Sequence, residues 1–558
     1  MIFLTFIFSF LYTILIIIIF LPIYYSKSII FNLTLTPFDI CSKYPNQWHT
    51  FKILFIIFQI ISSFIVSKFV ISKVYPFINK LKKEQPSPTQ SSLSILLGKK
   101  INNTLIYLND KSLYQNIFIT GTIGSGKTSS AMYPFTKQLI AYCNDNEKEK
   151  LGMLILDVKG NYHERVKEFC EKYERSKDLI IIDLSGNFKY NPLHKPDLKA
   201  SILANRLKNI LLLFSENNSD SYWLDKVEQI LEYSIKYCRL YNTGYVTFLE
   251  LHKLINSPEY YKEKINLIRL NFINNNLSNE DIYNTLSCLN FFQNEFECLD
   301  PRTLSILKSE VTRITNCFIS DYNVLNTFSP DEKELNFSGF TDVVNNGKIV
   351  VLNLNISTYQ NLSKIIAAYL KLDFQTEVMQ RLSKFSENIR PVCFISDEYH
   401  EYVTLNDANF FSQSREAKCI NIVSTQSYTS LLNALHNESA TKVIIQSLVN
   451  KLWFRSDDMF TIESAQKQIG KQDKLKTSRT ISENSKETNY NYILKSFSSL
   501  NSNISESINT YCQFDYIYDS NFFTQKLETF SCLSFLSDGL SILPPEKIVL
   551  FPYFKSHD

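Results

Sequence analysis

The sequence predicts an α/β protein with a mostly parallel sheet, an inserted all-α domain and an N-terminal pair of apolar helices. Three observations predict this class. From residue 116 onward, short continuously apolar runs alternate with helical patterns, as in a parallel sheet covered on both faces. Between about 195 and 345 these runs stop, and apolar residues recur at three- and four-residue spacing, which indicates helices. Two long apolar stretches precede residue 80.

The first apolar stretch, residues 2–24, contains no charged residue and can cross about 30 Å of hydrocarbon as a helix. The second, roughly 53–75, is interrupted only by two lysines near its end, and more lysines follow at 80–83. A basic cluster beside a membrane helix favours the cytoplasmic side. We therefore predict a two-helix hairpin in the cell membrane, with the bulk of the chain cytoplasmic. A signal peptide is less favoured, because no basic residue precedes the run and no cleavage pattern follows it.

The polar linker at 85–92 separates this hairpin from the body of the chain. Six strand-like runs then form the predicted sheet; they lie near 116–121, 151–160, 178–186, 348–355, 391–399 and 418–427. The predicted organisation is a transmembrane hairpin (1–80), a linker leading into the sheet domain (81–115), the first part of that domain (116–194), an all-α insert (195–345) and its second part (346–558). Within the last part, a Ser-, Asn-, Thr- and Lys-rich stretch (471–510) predicts a long loop or excursion.

Charge and cysteine content exclude several functions. The net charge is +3, and residues 1–72, with four lysines and one aspartate, account for all of it. A neutral body is not a free-standing, high-affinity binder of duplex DNA, because that affinity comes mainly from phosphate neutralisation. None of the 11 cysteines forms a C-x-x-C pair, so we expect reduced thiols in a cytosolic body and no zinc site.

The clearest chemical motif is GTIGSGKT at 121–128, which directly follows a strand-like run. It matches G-x4-G-K-S/T, in which glycines let backbone amides point at phosphate oxygens and the following helix contributes its positive end. Lys127 can reach the β- and γ-phosphates, and the Thr128 hydroxyl can ligate Mg²⁺. We therefore predict an ATP hydrolase that binds ATP and Mg²⁺; the predicted binding residues are Gly121, Thr122, Gly124, Ser125, Gly126, Lys127, Thr128 and Ser129.

A phosphate loop requires an acidic residue at the end of a neighbouring strand to organise the magnesium. Asp397 and Glu398 follow one apolar run, and Asp157 follows another. We favour the adjacent pair, with Asp397 ligating Mg²⁺ and Glu398 polarising the attacking water, because hydrolysis needs a second carboxylate as base. Asp157 remains the alternative magnesium residue.

Two further polar residues lie near the last predicted strand. Gln426 ends it, where a glutamine can sense a γ-phosphate, and Arg415 precedes it. An arginine can act as a finger that stabilises transition-state charge on a neighbouring subunit's nucleotide. On spacing alone, a surface arginine and a strand-capping glutamine are equally compatible.

Taken in order, these features form a recognisable set. Its members are the apolar hairpin, GTIGSGKT (121–128), DVKGN (157–161), YNPL (190–193), Trp223 at the start of the helical region, SDEYHEY (396–402), SREAK (414–418) and STQS (424–427). This set resembles the type IV secretion coupling proteins, the TraG/TraD-type conjugative DNA-transfer ATPases of the RecA-like P-loop group. Three positions depart from the usual family pattern: Asn161 replaces an acid, Tyr399 a phenylalanine and Ser414 a glycine.

The resemblance implies a RecA-like P-loop NTPase domain that assembles as a homo-hexamer, with the helical domain facing away from the membrane. It assigns Lys127 and Thr128 to the nucleotide and Mg²⁺, and Asp397 and Glu398 to the hydrolytic acidic pair. It assigns γ-phosphate sensing to Gln426 and a trans-acting finger to Arg415. The predicted catalytic residues are Lys127, Glu398, Asp397, Arg415 and Gln426. The implied function is recruitment of a DNA–relaxase complex or a secreted protein to type IV secretion channel subunits, with ATP-driven transfer. Alternatives are an FtsK/HerA-like intracellular DNA translocase and a nucleotide-dependent membrane receptor with little turnover.

Overall fold

The computed structural model describes residues 93–555, apart from 158–159, 186, 214–220, 242–243, 275–277, 355–358, 384–388, 486–488 and 499–501. Residues Gln90–Asp558 form one compact unit. The predicted transmembrane hairpin and Lys159 of the DVKGN motif lie outside the described residues. Within the described part of the chain, no helix combines the length and apolar character that a membrane span requires.

Fifteen strands form one large sheet and two small ones. They are β1 (Ser94–Lys100), β2 (Leu105–Asn109), β3 (Ile117–Thr120), β4 (Gly152–Leu156), β5 (Leu179–Ile182), β6 (Ile349–Leu352), β7 (Val392–Ser396), β8 (Cys419–Thr425), β9 (Asn450–Trp453), β10 (Lys471–Ser485), β11 (Asn489–Asn491), β12 (Ser496–Ser498), β13 (Ser502–Tyr516), β14 (Ser531–Phe535) and β15 (Glu546–Leu550). The large sheet has eleven strands in the order β2-β1-β15-β14-β9-β3-β8-β7-β4-β6-β5.

The large sheet is mixed. Its seven strands from β9 to β5 run parallel to one another, and the four strands at the other edge pair antiparallel. The six predicted runs correspond to β3 through β8. Strands β1 and β2 fall within the predicted linker segment, so the large sheet begins earlier in the chain than the apolar pattern indicates.

Sixteen α-helices lie in the described residues. They are α1 (Asp110–Leu113), α2 (Tyr133–Ala141), α3 (Tyr162–Lys172), α4 (Ala200–Leu212), α5 (Ser221–Tyr241), α6 (Phe248–Asn256), α7 (Pro258–Asn274), α8 (Asn279–Asn290), α9 (Pro301–Ile319), α10 (Tyr322–Phe328), α11 (Phe340–Asn346), α12 (Asn361–Gln380), α13 (Asp407–Gln413), α14 (Tyr428–Leu435), α15 (Glu438–Ser447) and α16 (Met459–Ile469).

Helices α4 to α11 follow one another between β5 and β6, where we predict an all-α insert. Their buried side chains belong to the same apolar core as one face of the sheet; Leu207, Phe248 and Phe318 lie in that core with Phe118 of β3 and Phe394 of β7. The opposite face of the sheet packs separately against α2 and α3. The domain boundaries given above stay predictions.

The polar stretch predicted as a loop or excursion contains regular structure. Strands β10 and β13 pair antiparallel over their full 15 residues, which is a ribbon about 50 Å long. Its register places Leu475 opposite Cys512 and Asp473 opposite Phe514. Of the two predicted alternatives, the loop is wrong for these residues, and the excursion has the form of a paired ribbon. The composition did not indicate strands, because the two strands pair with each other and their described side chains are mostly exposed, so no buried apolar run marks them.

Candidate nucleotide-binding site

The site lies where the parallel strands β3, β8 and β7 end side by side. Because Thr120 of β3 is in register with Thr425 of β8, the loop that leaves β3 begins beside the residue that follows β8. The backbone amide of Gly121 donates to the carbonyl oxygen of Gln426 at 3.2 Å. The neighbouring strand β7 ends at Ser396, so Asp397 emerges at the same edge. The topology thus brings the predicted phosphate loop, Asp397 and Gln426 together.

The predicted phosphate loop curls through left-handed backbone positions. Gly124 has φ 76° and Gly126 has φ 96°, conformations that favour glycine. A Cβ on Gly124 would meet no atom within 4 Å, whereas one on Gly126 would lie 2.5 Å from the Phe530 ring. The loop is therefore open to a ligand at Gly124 and closed by protein at Gly126.

Lys127 folds back over this loop. Its side chain is 6 % exposed, and its Nζ donates to the carbonyl oxygens of Gly121 and Thr122. Thr122 is itself held by its backbone N–H, which donates to the Arg455 carbonyl oxygen at 2.8 Å. Thr128 begins a π-helical turn, Thr128–Met132, that continues into α2. The ammonium, the loop amides and a helix start thus converge, as an anion site requires.

Asp397 joins the loop to the neighbouring strands. Its carboxylate is 1 % exposed and accepts a 2.8 Å hydrogen bond from the Thr128 hydroxyl. The Ser424 hydroxyl of β8 donates to its other oxygen. A hydroxyl and a carboxylate are hard oxygen donors, the set that Mg²⁺ prefers. The residues present therefore fit a magnesium ion beside the phosphate loop.

Glu398 sits in a sharp turn directly after Asp397. Its backbone is left-handed, with φ 49° and ψ 49°, a conformation that costs a non-glycine residue about 1–3 kcal/mol. The next residue, Tyr399, donates its hydroxyl to the buried carboxylate of Asp407, which also accepts from the amide of Thr404 at 3.0 Å. The ammonium of Lys371, fully buried on α12, pairs with the same carboxylate. This buried ion pair holds the turn that presents Glu398.

Asp157, the alternative magnesium residue, binds backbone amides rather than the phosphate-loop threonine. One carboxylate oxygen accepts from the backbone amides of Asn161 and Tyr162, at 3.1 and 3.2 Å. Those amides lie at the start of α3, where unpaired N–H groups need acceptors. Asp157 therefore caps a helix, whereas Asp397 contacts the phosphate-loop threonine.

A histidine that the sequence analysis did not single out also lies at this edge. His400 Nδ1 is 3.1 Å from the Thr425 hydroxyl oxygen and 3.8 Å from Glu398 Oε2. Burial lowers the pKa of His400 below its ordinary value of 6.5, although the carboxylate of Glu401 raises it. A ring with this lowered pKa is neutral at physiological pH and links the Glu398 turn to the end of β8.

Arg415 lies far from this edge. It is exposed, in the turn that precedes β8, whereas the nucleotide site lies beyond the other end of that seven-residue strand, about 20 Å away. Ser414 beside it is buried, and its hydroxyl oxygen accepts from the side-chain amide Nδ2 of Asn421 at 2.9 Å. Arg415 therefore cannot reach the phosphate loop of its own chain.

Of the remaining predicted residues, Ser125 is buried and donates its hydroxyl to the Thr122 carbonyl oxygen at 2.8 Å. Ser129 donates to the Gly126 carbonyl oxygen at 3.3 Å. Sequence reasoning missed roles for Ser424, His400 and the Lys371–Asp407 pair. Ser424 and His400 fall within quoted motifs, but a buried helix lysine has no signature in the sequence.

Comparison with known proteins identifies solved structures with a similar fold. No protein-family profile and no curated protein sequence matches the chain. Among solved structures, the bacterial conjugative coupling protein TrwBdeltaN70 in an unbound form aligns with TM-score 0.51 and 11% identity, over 84% of this chain and 90% of that one. The plasmid coupling protein TrwB aligns with TM-score 0.52 and 10% identity, over 84% and 97%, both in complex with the GTP analogue GDPNP and in complex with ADP and Mg²⁺. At this identity the likeness establishes a P-loop NTPase-like α/β fold.

Proposed function

We propose that this chain is a membrane-anchored, type IV secretion coupling ATPase. The single observation that carries the proposal is the contact between Thr128 and Asp397 beside the glycine loop. That contact joins a hydroxyl at a helix start to a strand-end carboxylate, as nucleotide-dependent phosphoryl chemistry requires. The likeness to TrwB, a coupling protein solved with ADP and Mg²⁺, supports this class over other P-loop proteins.

In the proposed mechanism, the amides from Gly124 to Thr128 and the Lys127 ammonium bind the polyphosphate. Thr128 and Asp397 would hold Mg²⁺, which supplies neutralisation of charge on the phosphate oxygens. Glu398 accepts the proton of the attacking water, held in position by its left-handed turn. Gln426, whose carbonyl oxygen accepts from Gly121, responds to the γ-phosphate.

The assembly and the cargo are parts of the same proposal. Residues 1–80 would form the transmembrane hairpin, with the remaining chain in the cytoplasm. Arg415, exposed at the far end of β8, would act on the nucleotide of an adjacent subunit in a homo-hexamer. The substrate would be a DNA–relaxase complex or a secreted protein, passed to the subunits of a type IV secretion channel.

The test uses the full-length chain in detergent, with and without DNA. Lys127→Ala should abolish ATP binding, whereas Glu398→Gln should keep binding and reduce turnover by at least 10²-fold, the usual contribution of a positioned base. Glu401→Gln is the matched control, because Glu401 lies three residues away and pairs with Lys364. Equal turnover by wild type and Glu398→Gln would refute the assigned base.

The nucleotide-dependent receptor predicts a different outcome. In that case ATP would drive oligomerisation of the wild-type chain with no phosphate release in any condition. An intracellular translocase predicts turnover stimulated by duplex DNA without any channel component. Phosphate release and sedimentation in the presence of ATP, measured on one preparation, separate these three outcomes.

A further inference from the structure

The C-terminal segment packs directly against the candidate phosphate loop. The backbone amide of Phe530 donates to the carbonyl oxygen of Ser125 at 3.1 Å, and the amide of Tyr553 donates to that of Ser129 at 2.9 Å. These contacts join residues more than 400 positions apart in the sequence. None of the functions assigned above uses this segment.

Three aromatic rings of this segment form a cluster beside the loop. Phe554 packs edge-on against Phe530, with ring centres 5.9 Å apart, and against Tyr553, at 5.4 Å. Tyr553 in turn contacts Tyr133 at the start of α2, at 5.2 Å. The ring of Phe554 is 57% exposed. The cluster therefore presents an aromatic surface to solvent, and its backbone is hydrogen-bonded to Ser125 and Ser129 at the phosphate loop.

Backbone geometry holds this cluster in place. Phe530 has φ 67°, a left-handed conformation that is costly for a bulky residue. A Cβ at Gly126 would lie 2.5 Å from the Phe530 ring, so the ring packs where only glycine leaves room. The Lys555 ammonium lies 5.8 Å from the centre of the Phe530 ring. Phe530 is thus held in place by these contacts, whereas the ring of Phe554 is exposed to solvent.

The direction in which a nucleotide lies in the loop links these observations. Lys127 reaches the β- and γ-phosphates in this motif, and the carboxylates of Asp397 and Glu398 mark the γ-phosphate side. A nucleoside, attached at the α-phosphate, would then lie on the side away from these carboxylates, next to Ser129. Ser129 is the residue whose carbonyl oxygen accepts from Tyr553.

We propose that Phe554, supported by Phe530 and Tyr553, is the stacking platform for the purine base of the bound nucleotide. This inference rests on the proposed nucleotide function and adds the contact that distinguishes a nucleoside triphosphate from bare polyphosphate. Stacking on an aromatic ring tolerates different bases because every base has a π face. The platform therefore accepts adenine and guanine alike.

The test compares ATP with inorganic tripolyphosphate, a probe that has the phosphates and lacks the base. Calorimetric titration of the full-length chain with Mg²⁺ measures both affinities for wild type, Phe554→Ala and Phe554→Tyr. Phe554→Ala should weaken ATP binding about tenfold, the lower range for one base–aromatic stack. Its tripolyphosphate affinity should equal that of wild type, and Phe554→Tyr should restore ATP binding.

Tyr322→Ala is the matched control, because Tyr322 is also an exposed ring, at 77%, and lies at the start of α10. Wild-type ATP affinity in Phe554→Ala would overturn the platform, and so would an equal loss for both ligands, which would mean a disturbed phosphate loop. A wild-type chain that binds neither ligand would overturn the proposed nucleotide function as well. The failure of each proposal is therefore distinguishable.

Discussion

Replacement of Ser424 by alanine tests the geometry of the magnesium site. The Ser424 hydroxyl is fully buried and donates to Asp397, the same carboxylate that accepts from Thr128. A hydrogen bond to a charged group contributes about 1.5–3 kcal/mol, which corresponds to a roughly ten- to hundredfold change in an equilibrium constant. We expect Ser424→Ala to raise the Mg²⁺ concentration required for half-maximal ATP turnover by about that factor.

Ser396→Ala provides the matched control. Ser396 is equally buried, directly precedes Asp397, and its hydroxyl oxygen has no hydrogen-bond partner among the described residues. Phosphate release is measured for both variants at saturating ATP across a range of Mg²⁺ concentrations. Ser396→Ala should follow the wild-type curve. Superimposable curves for the two variants would refute the view that Ser424 orients the carboxylate.

Three further predictions concern stability and the periphery. Asp407→Asn leaves the fully buried Lys371 ammonium without its counter-charge and should lower the free energy of unfolding by about 3–5 kcal/mol. Urea titration measures this free energy, and Asp473→Asn, at an exposed position, serves as the control. Equal urea midpoints for Asp407→Asn and wild type would contradict the prediction. Replacement of the ribbon 471–516 by a short Gly-Ser link should leave ATP affinity within about twofold of wild type. The residues that flank the ribbon are already joined, because the Ile517 amide donates to the Gly470 carbonyl oxygen. A large loss of ATP affinity in calorimetry would contradict this and assign the ribbon to the nucleotide site. Burial lowers the pKa of His400, so the neutral ring contributes to stability above pH 6.5 and this contribution is lost as the pH falls below that value. The urea midpoint of wild type should therefore drop between pH 7.5 and 5.5, and His400→Gln should make this drop smaller. A drop of the same size in both proteins would contradict this.

Strands β3 to β8 were predictable because burial on both faces makes parallel strands largely apolar. Strand β9 is also parallel and buried, and it was missed because Asn450 and Lys451 interrupt its apolar run. Ile117–Thr120 and Val392–Ser396 are fully buried, and their runs stand out in the sequence. Strand β2, by contrast, is mostly exposed and alternates weakly. Strand β2 was missed for that reason, whereas β14 is fully buried and was missed because serines interrupt its apolar run. The ribbon was missed because its two strands pair with each other rather than with the large sheet, and because its composition is typical of a loop.

The phosphate loop was predictable because its chemistry is local: eight consecutive residues carry it. Its neighbours are not local. Lys371 and Asp407 lie 36 positions apart, and Phe530 packs on Gly126 across most of the chain. No periodicity or spacing connects such pairs, since the topology of the sheet alone brings them together. The contact between Thr128 and Asp397 agrees with the choice of acidic residue, while the catalytic assignments stay predictions.

The most direct test of the central claim is a structure of the Glu398→Gln variant with ATP and Mg²⁺. Our account predicts the polyphosphate against the backbone amides of residues 124–128, with the metal ion between the Thr128 hydroxyl and the Asp397 carboxylate. A nucleotide bound elsewhere, or a metal ion held by Asp157 in place of Asp397, would contradict it.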